Sequence, residues 1–501
     1  MGVLFDNIPQ NIRVPFFYGE FRPGGTPYSS QTRLLLVGQM LSTGEATANS
    51  PILVTDTAVD ALFGVGSMLS GMYRTARLNA PAHEIWALPL ADAGPGVAAT
   101  GTLTIADPAV TQAQSMTIYI AGERIRIPVL TTDDEDTTAT MLAAAINALP
   151  HLPVTAVVGS GENTHIVTLT ARHKGTLGNA IMIDFGTITE DGLLAKEKIT
   201  VVAMASGATD PDLTTPFASL GDQEYDWIAS AYGSADALGD ASDLLNDING
   251  RWSWAKQLYG HYIGVSTATV GDLSTLGNGR NDPHASVFPC RKFRSPPWLV
   301  AAAVGARAAR HLSAPGSSAE LSRPLQTLEL MSIKGPLLQG DILKLSEKQT
   351  LLYDGISTYF VQRDGKVCIE RLVTTYQTNA WGDADATYLD VNTMAQSMFG
   401  IRHLRAKLTS THGRKALADT NPSRNPGIVT VKDIRDTLVH GYQELVDSGV
   451  FEGIEIFARD IVVERDQADA NRINAHLPLD HVNQLRILAV AAVNHMQRQA
   501  A

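Results

Sequence analysis

The run Leu34-Leu35-Leu36-Val37, between Arg33 and Gly38, is apolar at every position. A strand with that pattern has to be covered on both faces, which commits the chain to helices on each side of a sheet. Alternation of helix and strand follows. Thr55-Asp56-Thr57 supplies an N-cap before a helix running through Met72, and Glu84-Ile85-Trp86-Ala87-Leu88 is a second buried strand. Further along come strand Asp226 to Tyr232, helix Asp236 to Gln257, strand His261 to Ser266, short helix Val270 to Leu276, strand Ala285 to Phe288 and helix Trp298 to Leu312. The expectation is an open, largely parallel α/β sheet.

Between these halves, Gly94 to about Gly207 has a different texture. Thr102 to Ala106, Met116 to Ile120, Arg124 to Val129, Val154 to Val158, Ile166 to Ala171, Ile181 to Phe185 and Ile199 to Ala203 are short β runs around one helix, Thr138 to Leu149. The pattern predicts a β-rich domain, residues 95–207, inserted into a surface loop of a discontinuous α/β domain, residues 31–94 plus 208–318. Asp133, Asp134, Glu135 and Asp136 lack the alternating ligands and central Gly of a calcium loop. They read as acidic residues complementing a helix dipole.

After Pro315-Gly316-Ser317-Ser318 an α+β domain spans 319–480. Its strongest local signal is Asp364-Gly365 between alternating runs, which specifies a type I′ hairpin with Arg363 opposite Lys366 and Val361 opposite Cys368. Phe360, Asp364, Gly365 and Ile369 then form a core hairpin in which Phe360 faces Ile369. Met394, Met398, Ile401, Leu404 and Leu408 recur at helical spacing behind a cap at Asp390 or Asn392. Thr430-Val431-Lys432-Asp433 begins a helix reaching about Asp447, with Ile434, Leu438, Tyr442 and Leu445 on one face. Ile454 to Glu464 and Val482 to Val493 read as strands.

The ends look like arms. Ile12, Val14, Phe16 and Tyr18 alternate as an edge strand restricted by Pro9 and Pro15, on a Pro/Gly-rich linker from Arg22 to Pro27, so residues 1–30 form an N-terminal arm. Residues 481–501, with Leu485, Ile487, Leu488 and Val490, form a C-terminal one. Such a strand either folds back on its own subunit or is lent to a neighbour by strand addition, and the residues alone favour folding back, since termini are most often tied down locally.

No constellation for chemistry emerges. There is no Gly-x-Ser-x-Gly elbow, and Gly365-Lys366 is followed by Val367 inside a hairpin rather than a phosphate loop. His83-Glu84 has Ala87 where a zincin helix needs its second ligand. The loop Leu276 to His284, with Arg280, Asp282 and His284, is the best pocket candidate, since open α/β sheets bind ligands at strand ends; a plain connection is the simpler reading. His412, Arg414 and Lys415 read as a small basic patch, a solvated face or protein contact rather than a phosphate site. No catalytic, cofactor-binding or metal-ligating residue is assigned. A net charge of −12 gives no attraction to phosphate backbones and argues against nucleic acid as a partner. Cys290 and Cys368 stand apart without a motif, which fits a reducing site of synthesis. The start MGVLFDNIPQNIRV lacks a basic region before an apolar run, and no segment approaches the roughly 20 apolar residues of a membrane helix. The expectation is a protein kept in the cytosol until assembly or lysis.

RPLQTLEL (Arg323 to Leu330), LLYDGIST (Leu351 to Thr358), IERLVTTYQTNAWG (Ile369 to Gly382), YLDVNT (Tyr388 to Thr393), VERDQADANRINAHLP (Val463 to Pro478) and VNQLRILA (Val482 to Ala489) resemble the tail sheath protein of Mu-like contractile phages. The resemblance extends back through TARHKGTLGN (Thr170 to Asn179), YIAGERIRI (Tyr119 to Ile127) and ALFGVGSML (Ala61 to Leu69) to NIRVPFFY (Asn11 to Tyr18). It implies a non-enzymatic subunit stacking as hexameric rings around a tail tube, tied to neighbours by both arms. It also implies cooperative contraction that drives the tube through an envelope, with the tube, baseplate and tail terminator proteins as partners. The location implied is the virion tail, or a tail-like particle, assembled in the host cytoplasm. The rival classes are a hydrolase-like or nucleotide-binding α/β enzyme with a β accessory domain, and a glycan-binding adhesin.

Overall fold

The computed structural model describes residues 32–186, 189–313 and 318–494. The apolar run becomes the strand Arg33–Gln39, which pairs in parallel with Glu84–Leu90 on one side and Trp227–Ser230 on the other. The six-stranded sheet continues through His261–Ser266 to Ala285–Pro289, and an antiparallel stub, Ile52–Leu53, closes the opposite edge. Successive side chains serve opposite faces. Leu34 and Leu36 join a core with the helices Met68–Asn79 and Pro297–His311, while Leu35 and Val37 join one with Ala235–Leu245. Double coverage therefore follows from the strand's composition. Where Gly305 crosses Ala229, an added Cβ would lie 2.4 Å from the Ala229 methyl, so the Ala-rich helix Pro297–His311 seats close to the sheet.

Two expected helices are shorter than their apolar spacing implied. The helix expected through Met72 is two, Val59–Phe63 and Met68–Asn79, broken at Gly64 and Gly66, both with positive φ; Ser67 caps the second. An added Cβ on Gly66 would sit 2.3 Å from the Pro150 carbonyl oxygen, so the break makes room for the inserted domain. Helix Ala235–Leu245 stops because the Asn246 side-chain oxygen accepts the N–H groups of Ile248, Asn249 and Gly250.

The insertion is a four-stranded antiparallel sheet (Ile199–Ala205, Ala98–Ile105, Ile166–Lys174, Val154–Val158) and a three-stranded one (Glu123–Val129, Gln114–Ile120, Ile183–Asp184) around the helix Glu135–Asn147. Its two ends pair with each other at Val97 and Ala208. Asp134 caps its helix by accepting the Thr137 N–H at 2.8 Å, which accounts for the acidic cluster.

In the C-terminal part, Lys366–Arg371 lies between Glu329–Lys334 and Thr358–Val361. The hairpin is there, one residue out of the expected register. Phe360 pairs with Cys368, Val361 with Val367, and Tyr359 rather than Phe360 faces Ile369. Gly365 donates to the Gln362 carbonyl oxygen, and of Asp364 and Gly365 only Gly365 has positive φ. The turn is thus a three-residue loop closed by a left-handed glycine, not the type I′ turn. Helix Val391–His412 buries Met394, Met398 and Leu404 and packs on Val431–Asp447, whose start is the Thr430/Asp433 capping box. Ile454 to Glu464 is not one strand. Ile454, Phe457 and Ile461 recur at helical spacing, and a helix Ile454–Asp460 precedes the strand Val462–Arg465, which pairs with Ile473–His476 as a ribbon.

Candidate assembly interface

The C-terminal arm begins at a buried polar joint. Gln396 Nε2 donates to the carbonyl oxygens of Val450 and Val482 and to Ser322 Oγ, and the Val482 N–H reaches the Val450 carbonyl. Arg486 then turns inward to Asp390 at 2.9 Å and to Asn392 Oδ1 at 3.2 Å, while Asp390 also takes two hydrogen bonds from Arg371. Asp390 stands at the helix N-cap, but its carboxylate is spent on these arginines and caps no N–H. Leu485, Ile487, Leu488 and Val490 point the other way and are 74%, 83%, 79% and 76% exposed. Val482 to Val493 forms no strand in the single subunit, because none of the described edges of this subunit pairs with it. Ile12, Val14, Phe16 and Tyr18 lie outside the described residues, which begin at Thr32 beside Ser313 and His83.

The crevice where strand order reverses, between Arg33–Gln39 and Trp227–Ser230, is the usual ligand position in an open α/β sheet. Here the inserted domain fills it. Gln39 donates to Asp92 at 2.7 Å and to the Lys174 carbonyl at 2.9 Å, and accepts from the Tyr232 hydroxyl. His173 Nε2 accepts the Met68 N–H, so Nδ1 carries the proton and donates to Asp92. Burial would raise the Asp92 carboxyl, yet the bonds from His173, Lys174 and Gln39 outweigh it and hold the group below the usual range. The remaining void is about 10 Å³, room for a water at most.

Other sequence candidates resolve into structural parts. The loop 276–284 is a clamp: Asn281 Oδ1 accepts the N–H groups of Gln377 and Thr378, and its amide donates to the Thr378 carbonyl. Glu84 pairs with Arg33 and the Trp86 indole, and His412 bonds Thr437 at 2.7 Å rather than joining Arg414 and Lys415 in an open patch. Burial pushes the Cys290 thiol up, so it is inert. Among the described residues no group of His, Cys, Asp and Glu has the geometry to hold a metal ion, and no helix is long and apolar enough to cross a membrane.

Two buried ion pairs, missed in the sequence, tie the parts together. Arg402, on Val391–His412, reaches Asp226 and the Leu258 carbonyl in the α/β body. Arg294 makes two 2.9 Å bonds to Asp184 of the insertion and lies 4.4 Å over the Tyr119 ring.

Models of two protein domains match in tandem: the phage tail sheath protein central domain over residues 206–375 and the phage tail sheath C-terminal domain over 383–493. The Mu-like prophage FluMu tail sheath protein of Haemophilus influenzae is 33% identical over 497 residues, 98% of this chain and 99% of that one. Among solved structures, the sheath tail protein of Desulfitobacterium hafniense aligns over 94% of this chain and 97% of its own at 10% identity, with a TM-score of 0.49. That of Listeria innocua aligns over 91% and 93% at 15% identity, with a TM-score of 0.48. The anti-feeding prophage helical sheath in its contracted state aligns over 97% and 100% at 10% identity, with a TM-score of 0.45. A full-length relative at this identity, together with both sheath domains in order, makes the chain a member of the phage tail sheath protein family.

Proposed function

We propose that this subunit polymerises as stacked hexameric rings around a tail tube and contracts to drive the tube through a target envelope, with baseplate and tail terminator proteins at the ends. The work is mechanical. The carrying observation is the apolar arm beyond Arg486, solvated in the single subunit and anchored at its base by buried polar bonds. A monomer with that much exposed apolar chain is poised to pair, and each of Ile487 and Leu488 is worth roughly 1.5–3 kcal/mol once covered. Strand hydrogen bonds add about 0.5–1.5 kcal/mol each. The filled crevice at Gln39 supports a non-enzymatic reading. Functionally the chain divides into an N-terminal arm (1–30), the α/β body (31–94 and 208–318), the outward-facing insertion (95–207), the tube-side C-terminal domain (319–480) and the C-terminal arm (481–501). Assembly takes place in the host cytoplasm, before the sheath becomes part of a virion or tail-like particle.

The test is removal of residues 1–20, or of 487–501, which spares the Arg486 anchor. Negative-stain microscopy of concentrated protein should show tubes for the full chain and folded monomers for each deletion. Full-length contractile tubes from a deleted chain would refute the reading for that arm.

A further inference from the structure

Trp381 is 85% exposed at the tip of a loop that is nevertheless fixed. Asn379 Oδ1 accepts the N–H groups of Trp381 and Asp383, each at 3.0 Å, while the Asn379 N–H reaches the Asp383 carbonyl and Gly382 takes φ +86. The loop's base is held by the Asn281 clamp and by Gln377 Nε2 on the Gly277 carbonyl. A large aromatic side chain presented on a rigid support has little ordering cost left when it binds. Elsewhere on the surface, the loop 246–259, the helices Val391–His412 and Val431–Asp447 and the ribbon strand Ile473–His476 enclose a cavity of about 510 Å³. Trp254, Tyr259, Ile401, Leu408, Ile473 and Leu477 make it mostly apolar. Arg405 also lines it, exposed and without an ion pair among the described residues. Asp383, two positions from Trp381, has an exposed carboxylate likewise without an ion pair there.

We propose that Trp381 of one copy is a knob that enters this hole on a second copy, with Asp383 meeting Arg405. The proposal rests on the assembly reading above, since it requires copies that meet. The exposure of Trp381 shows that it does not fill its own hole. Knob and hole are built from different residues, so the contact is heterologous, the type that generates rings and helical arrays rather than closed pairs. Opposite charges beside the two apolar elements favour a second copy over an unrelated apolar ligand. One tryptophan covers only about 150–250 Å², so the contact is an anchor that works with the arms, not a whole interface.

The experiment measures, by sedimentation of the full-length chain, the concentration at which polymer first appears. Trp381→Ala, Asp383→Arg and Arg405→Asp should each raise it about tenfold or more. The combined Asp383→Arg/Arg405→Asp chain should return towards the unmodified value, which a merely structural role would not produce. Polymer from Trp381→Ala at the unmodified concentration overturns the proposal. So does an Arg405→Asp defect without a Trp381→Ala defect, which would give the hole to another occupant such as residues 1–31. An unmodified chain that never polymerises would instead refute the sheath-subunit reading, and this contact with it.

Discussion

Asp184→Ala should detach the inserted domain energetically from the α/β body. In the native subunit the Asp184 side chain is 8% and the Arg294 side chain 17% exposed, and both Asp184 oxygens bond the guanidinium at 2.9 Å. Deleting the carboxylate leaves a nearly desolvated cation with neither bond, a cost of about 3–5 kcal/mol. The Tyr119 ring beneath it returns only about 1–2 kcal/mol, already present in the native state. Arg294→Met should cost a similar amount, because it strands Asp184 with the Gly186 N–H as its remaining bond in the loop. Removing both charges with Asp184→Ala/Arg294→Met should cost only about 1–2 kcal/mol, since no unpaired buried charge remains. Single costs of about 3–5 kcal/mol each against about 1–2 kcal/mol for the double predict a coupling of at least about 4 kcal/mol. All 6 tryptophans lie outside residues 95–207, so urea unfolding can separate the parts. Tryptophan emission reports the body and C-terminal domain, while far-ultraviolet circular dichroism reports everything. The two transitions should coincide in the parent chain and separate in Asp184→Ala, with dichroism lost first. Single substitutions that add to the double within about 0.5 kcal/mol, or transitions that stay coincident, would refute the latch.

Acid should weaken the subunit at the base of the C-terminal arm. Burial lowers His481 to about 4, where it packs edge-on against Phe451, so between about pH 6.5 and 4 the unfolded chain takes up a proton that the native one refuses. Stability is full above that window and falls by up to about 1.4 kcal/mol per pH unit within it. His481→Gln should flatten the fall in urea midpoint between pH 7 and 5, and an unchanged slope would assign the loss to other groups, such as the fully buried His261. In reconstructed sheath, a label at Gly365 should map to small radius and one at Gly161, an exposed tip of the insertion, to large radius; the reverse order would invert the proposed orientation.

What the sequence reveals and what it hides divide along range. The strand Arg33–Gln39 is legible because the unbroken apolar run Leu34 to Val37 inside it has few other places to go. Helix Val431–Asp447 was legible because its cap and its apolar face are both local. The break at Gly64 and Gly66 is not, since Gly66 makes way for the Pro150 carbonyl, far along the chain. The hairpin was legible in kind but not in register: Asp-Gly is compatible with a two- or three-residue loop, and the choice sets which of Phe360 and Tyr359 faces Ile369. Ile454 to Glu464 reads as a strand because its β-branched residues mask the helical spacing of Ile454, Phe457 and Ile461. The polar joints Gln39 with Asp92, Arg294 with Asp184 and Arg486 with Asp390 pair residues too distant for any motif. One local sign was available. Arg486 interrupts the apolar run Leu485 to Val490, and a charge there marks either a break in the strand or a buried partner.

These joints also decide where a sheath subunit can give way. The insertion is held to the body by the mostly buried Arg294–Asp184 pair and the part-buried Asp92–His173 bond, and the C-terminal domain by the buried Arg402–Asp226 pair; rupture of either ion pair costs several kcal/mol. A lattice that changes packing will not spend its free energy there while cheaper motions exist. The C-terminal arm supplies one: beyond Arg486 it has no strand partner among the described residues, so its angle to the body can change without breaking any described hydrogen bond of the body. In the proposed assembly, strain applied between neighbouring subunits would concentrate at Leu485 to Ile487, next to the Arg371–Asp390–Arg486 cluster that holds the anchor point. In the proposed contraction the subunits would move as nearly rigid bodies, with the free energy held in the contacts between copies, where two packings can differ without any subunit refolding.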